Sequence, residues 1–196
     1  AMRESGVLMH ITSLPGPYGV GTMGKQAFAF VDFLKEAGQH YWQILPLSPT
    51  GYGDSPYQAF STFAGNHYLI DPELLRQQGL LTQQELDAFC WGNGDRVDYG
   101  KLYDERENML QLAFRRFTPD ESYWQYVEEN RWWLDDYALF MALKNFFKGK
   151  SWNEWPEDIR LRYGYALDYY RRELYFDIEF QMYMQFKFFQ QYRALK

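Results

Sequence analysis

The chain has 196 residues, a net charge of −6 at pH 7 and an aromatic fraction of 20%. The acidic balance argues against nucleic acid and anionic membranes as partners, and no stretch approaches the ~20 apolar residues of a membrane-spanning helix. The single cysteine, Cys90, excludes an internal disulfide, and Ala1-Met2-Arg3 begins no signal-peptide pattern. Both features predict a cytoplasmic protein.

The first 71 residues combine short apolar runs with Gly/Pro turns and predict a βαβ unit. A strand is expected from Gly6 to Ile11, and a second from Tyr41 to Leu45. Between them, Lys25 to Ala37 has apolar residues near helical spacing, and Gly38 follows as a cap. A strand, a helix and a strand in this order predict two parallel strands with a right-handed crossover.

From Pro72 onward the pattern is helical almost throughout. Thr82 and Glu85 form a capping box, and Pro156 suits the first turn of a short helix. Longer helices are expected at Gly100 to Phe117, Tyr123 to Asn130, Arg131 to Phe147 and, as one unbroken helix, Tyr165 to Lys196. The last has apolar residues on several faces, which predicts neighbours on several sides. Two strands alone cannot form a covered sheet, so we expect an incomplete domain.

Signatures of metal and cofactor binding are weak in this sequence. The histidines His10, His40 and His67 are scattered and show no zinc-ligand spacing, so no metal is expected. Gly19 to Gly24 matches GxGxxG between a strand and a helix, which permits two interpretations: a nucleotide-binding loop or a turn into the helix. No acidic residue follows a second strand as the nucleotide interpretation requires, and no cofactor is expected.

The segment from Pro49 to Gln58 contains the densest group of polar and aromatic side chains. It follows the second predicted strand, at the strand end where parallel α/β barrels gather their active-site loops. Its hydroxyl, carboxylate and amide groups suit sugar hydroxyls, and tyrosine rings offer a flat face to a pyranose. An ordered turn, in which Asp54 caps nearby amides, is the alternative interpretation.

Eight blocks in chain order resemble the 4-α-glucanotransferases of the amylomaltase type (disproportionating enzyme, glycoside hydrolase family 77). The blocks are His10 to Gly19, Tyr41 to Leu47, Gly51 to Gln58, Ala64 to Asp71, Arg96 to Tyr99, Trp132 to Lys144, Trp152 to Pro156 and Gln185 to Lys196. Ile11 and His67 stand where many members have Pro, and Phe186 and Tyr192 stand where some have Trp. These departures affect packing or loop rigidity.

The resemblance implies an α/β fold, an incomplete (β/α)8 TIM barrel with a large, mainly helical inserted subdomain. Residues 1–71 would form the first two strands and the active-site loop. Residues 72–170 would form the helical subdomain, and residues 171–196 a long helix leading back toward the barrel. A complete barrel takes roughly 250 residues, so most of it would lie outside this sequence.

The resemblance also implies transfer of α-1,4-glucan segments between maltooligosaccharides by a retaining double displacement. The nucleophile and the acid/base of the family are expected beyond Lys196, and no Asp or Glu of this chain matches their motifs. The chain alone is therefore expected to be inactive. Two alternatives remain open: a non-catalytic glucan-binding module, and an assembly fragment that pairs with the missing C-terminal part of the barrel.

By the same resemblance, five residues bind substrate. Tyr57 would stack on the sugar beside the cleaved bond, Asp54 and Ser55 would shape that pocket, and Tyr52 and Tyr103 would form a more remote glucan groove. For Tyr103, packing of its helix is the alternative.

Four further residues of the blocks are predicted to be structural, with contact to sugar as the alternative. The acidic pair Asp135 and Asp136 is assigned to helix termini and ion pairs. The indoles of Trp132 and Trp133 are assigned to the core of the subdomain.

Overall fold

The computed structural model describes residues 3–45, 47, 61–89, 91 and 99–196. Strands β1 (Gly6–Leu8) and β2 (Tyr41–Gln43) pair in parallel, with Val7 opposite Trp42. Helix α1 (Lys25–Glu36) connects them. The predicted parallel βαβ unit is therefore confirmed, although both strands are shorter than expected.

Local chemistry fixes the ends of α1. Gly24 is its N-cap, and Gly38 follows its last turn with φ +69°, a left-handed conformation that glycine adopts at no steric cost. The helix lies against the strands through Phe30, whose ring meets that of Trp42 edge-on at 4.8 Å. The expected helix and its glycine cap are confirmed.

From Pro72 onward the described chain is mainly helical, as predicted. The helices are α2 (Pro72–Gln77), α3 (Gln83–Ala88), α4 (Tyr99–Arg116), α5 (Glu121–Phe146), α6 (Glu157–Arg160), α7 (Gly164–Glu173) and α8 (Tyr175–Leu195), with single 3-10 turns at Ile11–Ser13, His67–Leu69 and Trp152–Glu154. Thr82 and Glu85 form the expected capping box at α3, and Pro156 is the N-cap of α6.

The prediction of two helices between Tyr123 and Phe147 is wrong, because α5 is continuous through Asn130. The amide of Asn130 donates to the Tyr126 carbonyl at 2.8 Å and accepts from the indole nitrogen of Trp133 at 2.9 Å. Both partners lie one turn away on the same helix. An asparagine side chain often competes with the hydrogen bonds of a helix, but that of Asn130 finds both its partners within α5 and does not interrupt it.

The prediction of one unbroken helix from Tyr165 is also wrong, because Leu174 separates α7 from α8. Its backbone has φ −104° and ψ 20°, yet its amide still bonds to Tyr170 and its carbonyl accepts from Ile178, both at 2.9 Å. Since neither bond is lost, the deviation costs little. Packing of the buried Leu174 side chain can impose it without a Gly or Pro.

Burial along α8 confirms that this helix has neighbours on several sides. All nine residues from Phe180 to Phe188 are buried, so no face of that stretch is open to water. No helix within the described ranges is both long enough and apolar enough to cross a membrane.

The chain forms two compact units. Unit 1 comprises Ala1–Thr118 with Lys187–Lys196, and unit 2 comprises Pro119–Phe186. The division expected from the sequence, into a barrel start, a subdomain and a returning helix, stays a prediction.

Candidate functional site

One of the five predicted substrate-binding residues is described by the structure. Tyr103 lies in the second turn of α4. Tyr52, Asp54, Ser55 and Tyr57 lie outside the described residues, and their roles stay predictions.

The ring of Tyr103 is part of a group of aromatic side chains. It stacks on Tyr68 with centroids 4.2 Å apart and planes 19° from parallel. The ring of Tyr99, one helical turn earlier, lies 6.1 Å away. Stacked rings contribute about 0.5–1.5 kcal/mol beyond their buried area, so helix packing accounts for the orientation of Tyr103. Contact with sugar stays a prediction.

A buried arginine holds the backbone around this stack. Arg106 is one turn further along α4 and is 1% exposed. Its guanidinium donates to the carbonyls of Tyr68, Tyr18 at 2.5 Å and Val20 at 3.0 Å. The planar fork of donors suits several fixed acceptors at once. Arg106 therefore ties the loop before α1 and the turn at His67–Leu69 to α4.

The indole of Trp91 completes what we call the Arg106 cluster: Tyr18, Tyr68, Trp91, Tyr103 and Arg106. The guanidinium carbon lies 5.8 Å from the Trp91 ring centre, and the Tyr18 ring meets the same indole edge-on at 5.1 Å. A cation over an indole face is favourable. The cluster gives Tyr103 a rigid setting built from residues far apart in the sequence.

Burial controls the electrostatics of the cluster. It lowers the pKa of Arg106 to about 10, and this group is still charged at neutral pH. Burial, followed by the charge of Asp71, raises the pKa of Tyr18 to about 12 and keeps its hydroxyl protonated. Burial and the charge of Arg106 lower the pKa of His67 to about 4, so this histidine is neutral.

Asp71 decides between the two interpretations of the Gly19–Gly24 loop. One carboxylate oxygen accepts from the Thr22 hydroxyl at 2.6 Å, and the other caps α2 through the amide of Leu74 at 3.0 Å. A side chain at Gly24 would collide with this carboxylate. The start of α1 is thus occupied by a negative group of the protein, which disfavours a phosphate there. The glycines serve the turn into the helix.

Sequence reasoning missed Arg106, although a signal was present. Leu102, Arg106, Met109, Leu110 and Ala113 are the buried residues of α4 and follow helical spacing. An arginine at a core-facing position of a helix is almost never buried without hydrogen-bond or charge partners. The position of Arg106 in this apolar stripe therefore predicts that its guanidinium has buried hydrogen-bond acceptors.

The four residues predicted to be structural have mixed outcomes. Asp135 pairs with Arg131 at 3.3 Å and Asp136 with Arg162 at 2.9 Å, which confirms the ion pairs. Their assignment to helix termini is wrong, because they lie within α5. A core position is confirmed for Trp133 and wrong for Trp132, which is 68% exposed. The two indoles diverge because neighbouring residues on a helix point to different faces.

Unit 1 also contains an open cavity of about 380 Å³ beside the C-terminal end of β2. Leu47 lines it on one side of the undescribed segment 48–60, and Thr62 lines it on the other. Its remaining walls are Ile44, Leu45, Phe63, Ala64, Gly65, Phe188, Phe189 and Tyr192. This lining is mostly apolar and suits packing of protein against protein better than recognition of sugar hydroxyls.

Within the described ranges, no three His, Cys, Asp or Glu side chains gather to hold a metal ion.

Comparison with known proteins identifies the family. The sequence model of the 4-alpha-glucanotransferase family matches residues 9–196. The chain belongs to the 4-alpha-glucanotransferase family. It spans about two fifths of the length of the curated relatives that it matches.

Two 4-alpha-glucanotransferases and one solved structure illustrate the likeness. The chain is 47% identical over 191 residues to the enzyme of Clostridium butyricum, and the alignment covers 96% of this chain and 39% of the relative. It is 49% identical over 200 residues to that of Thermus thermophilus, covering 99% and 39%. The amylomaltase from Streptococcus agalactiae in complex with acarbose is 42% identical with a TM-score of 0.93, covering 100% of this chain and 40% of that one.

Proposed function

We propose that this chain is part of an enzyme that transfers α-1,4-glucan segments between maltooligosaccharides. The observation that carries the proposal is the likeness through the whole chain to an amylomaltase solved with acarbose, at 42% identity and a TM-score of 0.93. We further propose that β1, α1 and β2 begin a (β/α)8 barrel, that residues 72–170 are its helical subdomain and that residues 171–196 lead back to it. The parallel strand pair supports the barrel. A cytoplasmic location stays a prediction.

The proposed reaction proceeds by double displacement. A carboxylate attacks the anomeric carbon while a carboxylic acid protonates the leaving glycosidic oxygen, which gives a covalent glucosyl-enzyme. The 4-hydroxyl of a second glucan then attacks that carbon, displaces the nucleophilic carboxylate and gives its proton to the former acid, which is now ionised. The α-configuration is retained because the carbon is inverted twice. Exclusion of water favours transfer over hydrolysis.

We propose that both carboxylates come from residues outside 1–196. Support comes from the motifs, because no Asp or Glu here follows a pattern of the family's catalytic groups. The test is incubation of the purified 196-residue chain with maltotriose. We expect neither glucose nor maltotetraose. A ladder of products would contradict the assignment and make Asp54 the first carboxylate to replace.

The role proposed for this chain is to bind and orient glucan through Tyr52, Asp54, Ser55, Tyr57 and Tyr103. The rigid setting of Tyr103 in the Arg106 cluster supports it, because an ordered aromatic ring loses little entropy when a sugar packs on it.

Calorimetric titration with maltoheptaose tests this role. Tyr103→Ala should weaken binding about tenfold, the value of one lost ring contact, whereas Tyr103→Phe should keep most of it because the ring remains. Equal binding by the native chain and both variants would contradict the assignment of Tyr103. Binding without any transfer in a full-length protein would favour a non-catalytic glucan-binding module.

An assembly role is a second candidate, and exposed apolar side chains favour it. Leu8 and Phe33 of the βαβ unit are each at least 60% exposed, and the apolar cavity beside β2 lies in the same unit. Apolar surface of this kind marks an interface. Size-exclusion chromatography should then show self-association that Leu8→Lys with Phe33→Lys reduces. A monomer at all concentrations would contradict self-association.

A further inference from the structure

Unit 2 contains a small cavity that the proposed function does not use. It has a volume of about 180 Å³ and is lined by Phe140, Leu143, Trp152, Trp155, Ile159, Arg160 and Arg162. A cavity of about 150 Å³ accommodates a six-membered benzene ring. This volume therefore suits one ring-sized group, such as a single pyranose.

Two tryptophans line the cavity, one of them buried and the other exposed to solvent. Trp155 is buried, its indole nitrogen donates to the Lys150 carbonyl at 3.1 Å, and its ring packs 5.5 Å from Phe140 and 5.6 Å from Phe147. Trp152 lines the same cavity but is 55% exposed. An indole face held beside a cavity offers apolar area to the carbon-bound face of a sugar.

Two arginines supply hydrogen-bond donors, and nearby carboxylates balance their charges. Arg160 donates to the Asn153 carbonyl at 3.2 Å, and Arg162 pairs with Asp136 at 2.9 Å. Each guanidinium has five N–H donors, so these bonds leave donors for a ligand. Residues 152–162 contain three acidic side chains against the two arginines, and Asp136 adds a fourth acid. This balance disfavours an anion and suits a neutral ligand rich in hydroxyls.

The backbone conformation of Arg162 decides which substitution can test its side chain. Its φ of +59° is left-handed, at the position after the last turn of α6 where glycine is usual. A non-glycine residue there costs about 1–2 kcal/mol. Because glycine adopts this conformation without strain, Arg162→Gly removes the side chain without a backbone penalty.

We propose that this cavity binds a terminal pyranose ring of a neutral glucan, stacked on Trp152 and hydrogen-bonded by Arg160 and Arg162. The inference rests on the proposed function, since glucan is the ligand that function supplies. It adds a further binding point, which lies on unit 2 and is built from residues other than the five proposed to bind substrate. Such a point would retain a long glucan between transfers by raising its effective concentration.

The test is a titration of the ¹⁵N-labelled 196-residue chain with maltoheptaose, followed by NMR of the indole N–H signals. The Trp152 signal, assigned by Trp152→Phe, reports the cavity, and the Trp91 signal reports the Arg106 cluster. We expect the Trp152 signal to shift and saturate. In Arg162→Gly the dissociation constant read from this signal, or from Trp155 next to it, should rise about tenfold through loss of charged donors.

Lys148→Gly is the matched control. Lys148 also has a left-handed backbone, with φ +56° after the end of α5, but it does not line the cavity. Both variants relieve strain in the same way, so both should fold. Equal weakening of the Trp152 response by both variants would overturn a direct role for Arg162.

The remaining outcomes separate this inference from the proposed function. A shift of Trp91 without Trp152 would overturn the cavity site and leave the proposed function standing. A shift of Trp152 without Trp91 would support the cavity and contradict the role of Tyr103. No shift of either signal would overturn glucan binding at both places. A Trp152 shift caused by inorganic phosphate, or by protein concentration alone, would overturn the proposal in favour of an anion site or a second copy.

Discussion

The two units of the chain are stabilised by different kinds of contact. In unit 1, buried polar groups hold irregular backbone: Arg106 bonds three carbonyls, and the side-chain amide of Gln191 bonds both the amide and the carbonyl of Asp71, at 2.7 and 3.2 Å. In unit 2, helices pack through aromatic rings, as Tyr123 does against Phe186 at 5.3 Å. The ion pairs of unit 2 lie at its surface.

This difference follows from what each unit must satisfy. Loops leave backbone carbonyls without regular partners, and each buried one needs a donor from a side chain. Helices satisfy their own backbone, so their interiors need only apolar area. Loss of a buried polar group should therefore harm unit 1 and leave unit 2 unharmed or improved.

The largest effect is expected from Arg106→Met. The substitution keeps much of the apolar volume but leaves three carbonyls without their donor, which costs about 3–5 kcal/mol in comparable buried sites. Urea denaturation measures the loss, and Arg115→Met, on an exposed face of the same helix, should change little. Hydrogen exchange should show reduced protection in α4 and unchanged protection in α5. Equal loss of protection in both helices would contradict the proposed difference between the two units.

A pH dependence of unfolding is expected from His67. Its pKa is lowered from 6.5 to about 4 in the folded state, so between these values only the unfolded chain binds the proton. Stability from this group is complete above pH 6.5 and is lost as the pH falls toward 4, by about 3 kcal/mol.

The measurement compares urea midpoints of the native chain and of His67→Phe from pH 7 to 4. The variant should lose less stability over this range, whereas His40→Phe, at an exposed position, should keep the native slope. Identical slopes for the native chain and His67→Phe would contradict the assignment.

In unit 2, removal of a buried polar group is expected to stabilise the chain. The Tyr137 hydroxyl is buried without a hydrogen-bond partner among the described residues, and burial raises its pKa. Tyr137→Phe removes an unsatisfied group and should stabilise the chain by about 1 kcal/mol. Thermal unfolding measures the gain, with Tyr169→Phe as the exposed control. Destabilisation by Tyr137→Phe would show that unit 2 also depends on a buried polar bond.

The smallest effect is expected from a surface ion pair of unit 2. Arg131 pairs with Glu128 at 2.6 Å and lowers the pKa of that carboxyl, but both side chains are at least half exposed. Water and salt screen such pairs. Glu128→Gln should leave the urea midpoint unchanged within error at about 0.5 M salt, roughly three times physiological ionic strength. A decrease in the urea midpoint that persists at this salt concentration would show that surface ion pairs contribute to the stability of unit 2, contrary to the proposed difference between the units.

Much of the secondary structure could be predicted because its signals are local. Gly38 after α1, the capping box of Thr82 and Glu85, and the spacing within α4 all act within a few residues. The predictions failed at Asn130 and Leu174, where contacts decide whether a helix continues. For the candidate site, the resemblance named Tyr103 but not its neighbours.

The sequence by itself determined the order of the elements, the parallel βαβ start and, through its blocks, the family. Only the tertiary structure decided that Arg106 would be buried among carbonyls of Tyr18, Val20 and Tyr68, and that Asp71 would occupy the start of α1. The physical reason is distance along the chain. Spacing and capping act within one or two turns, whereas a buried charge is stabilised by acceptors dozens of residues away, which no local pattern identifies.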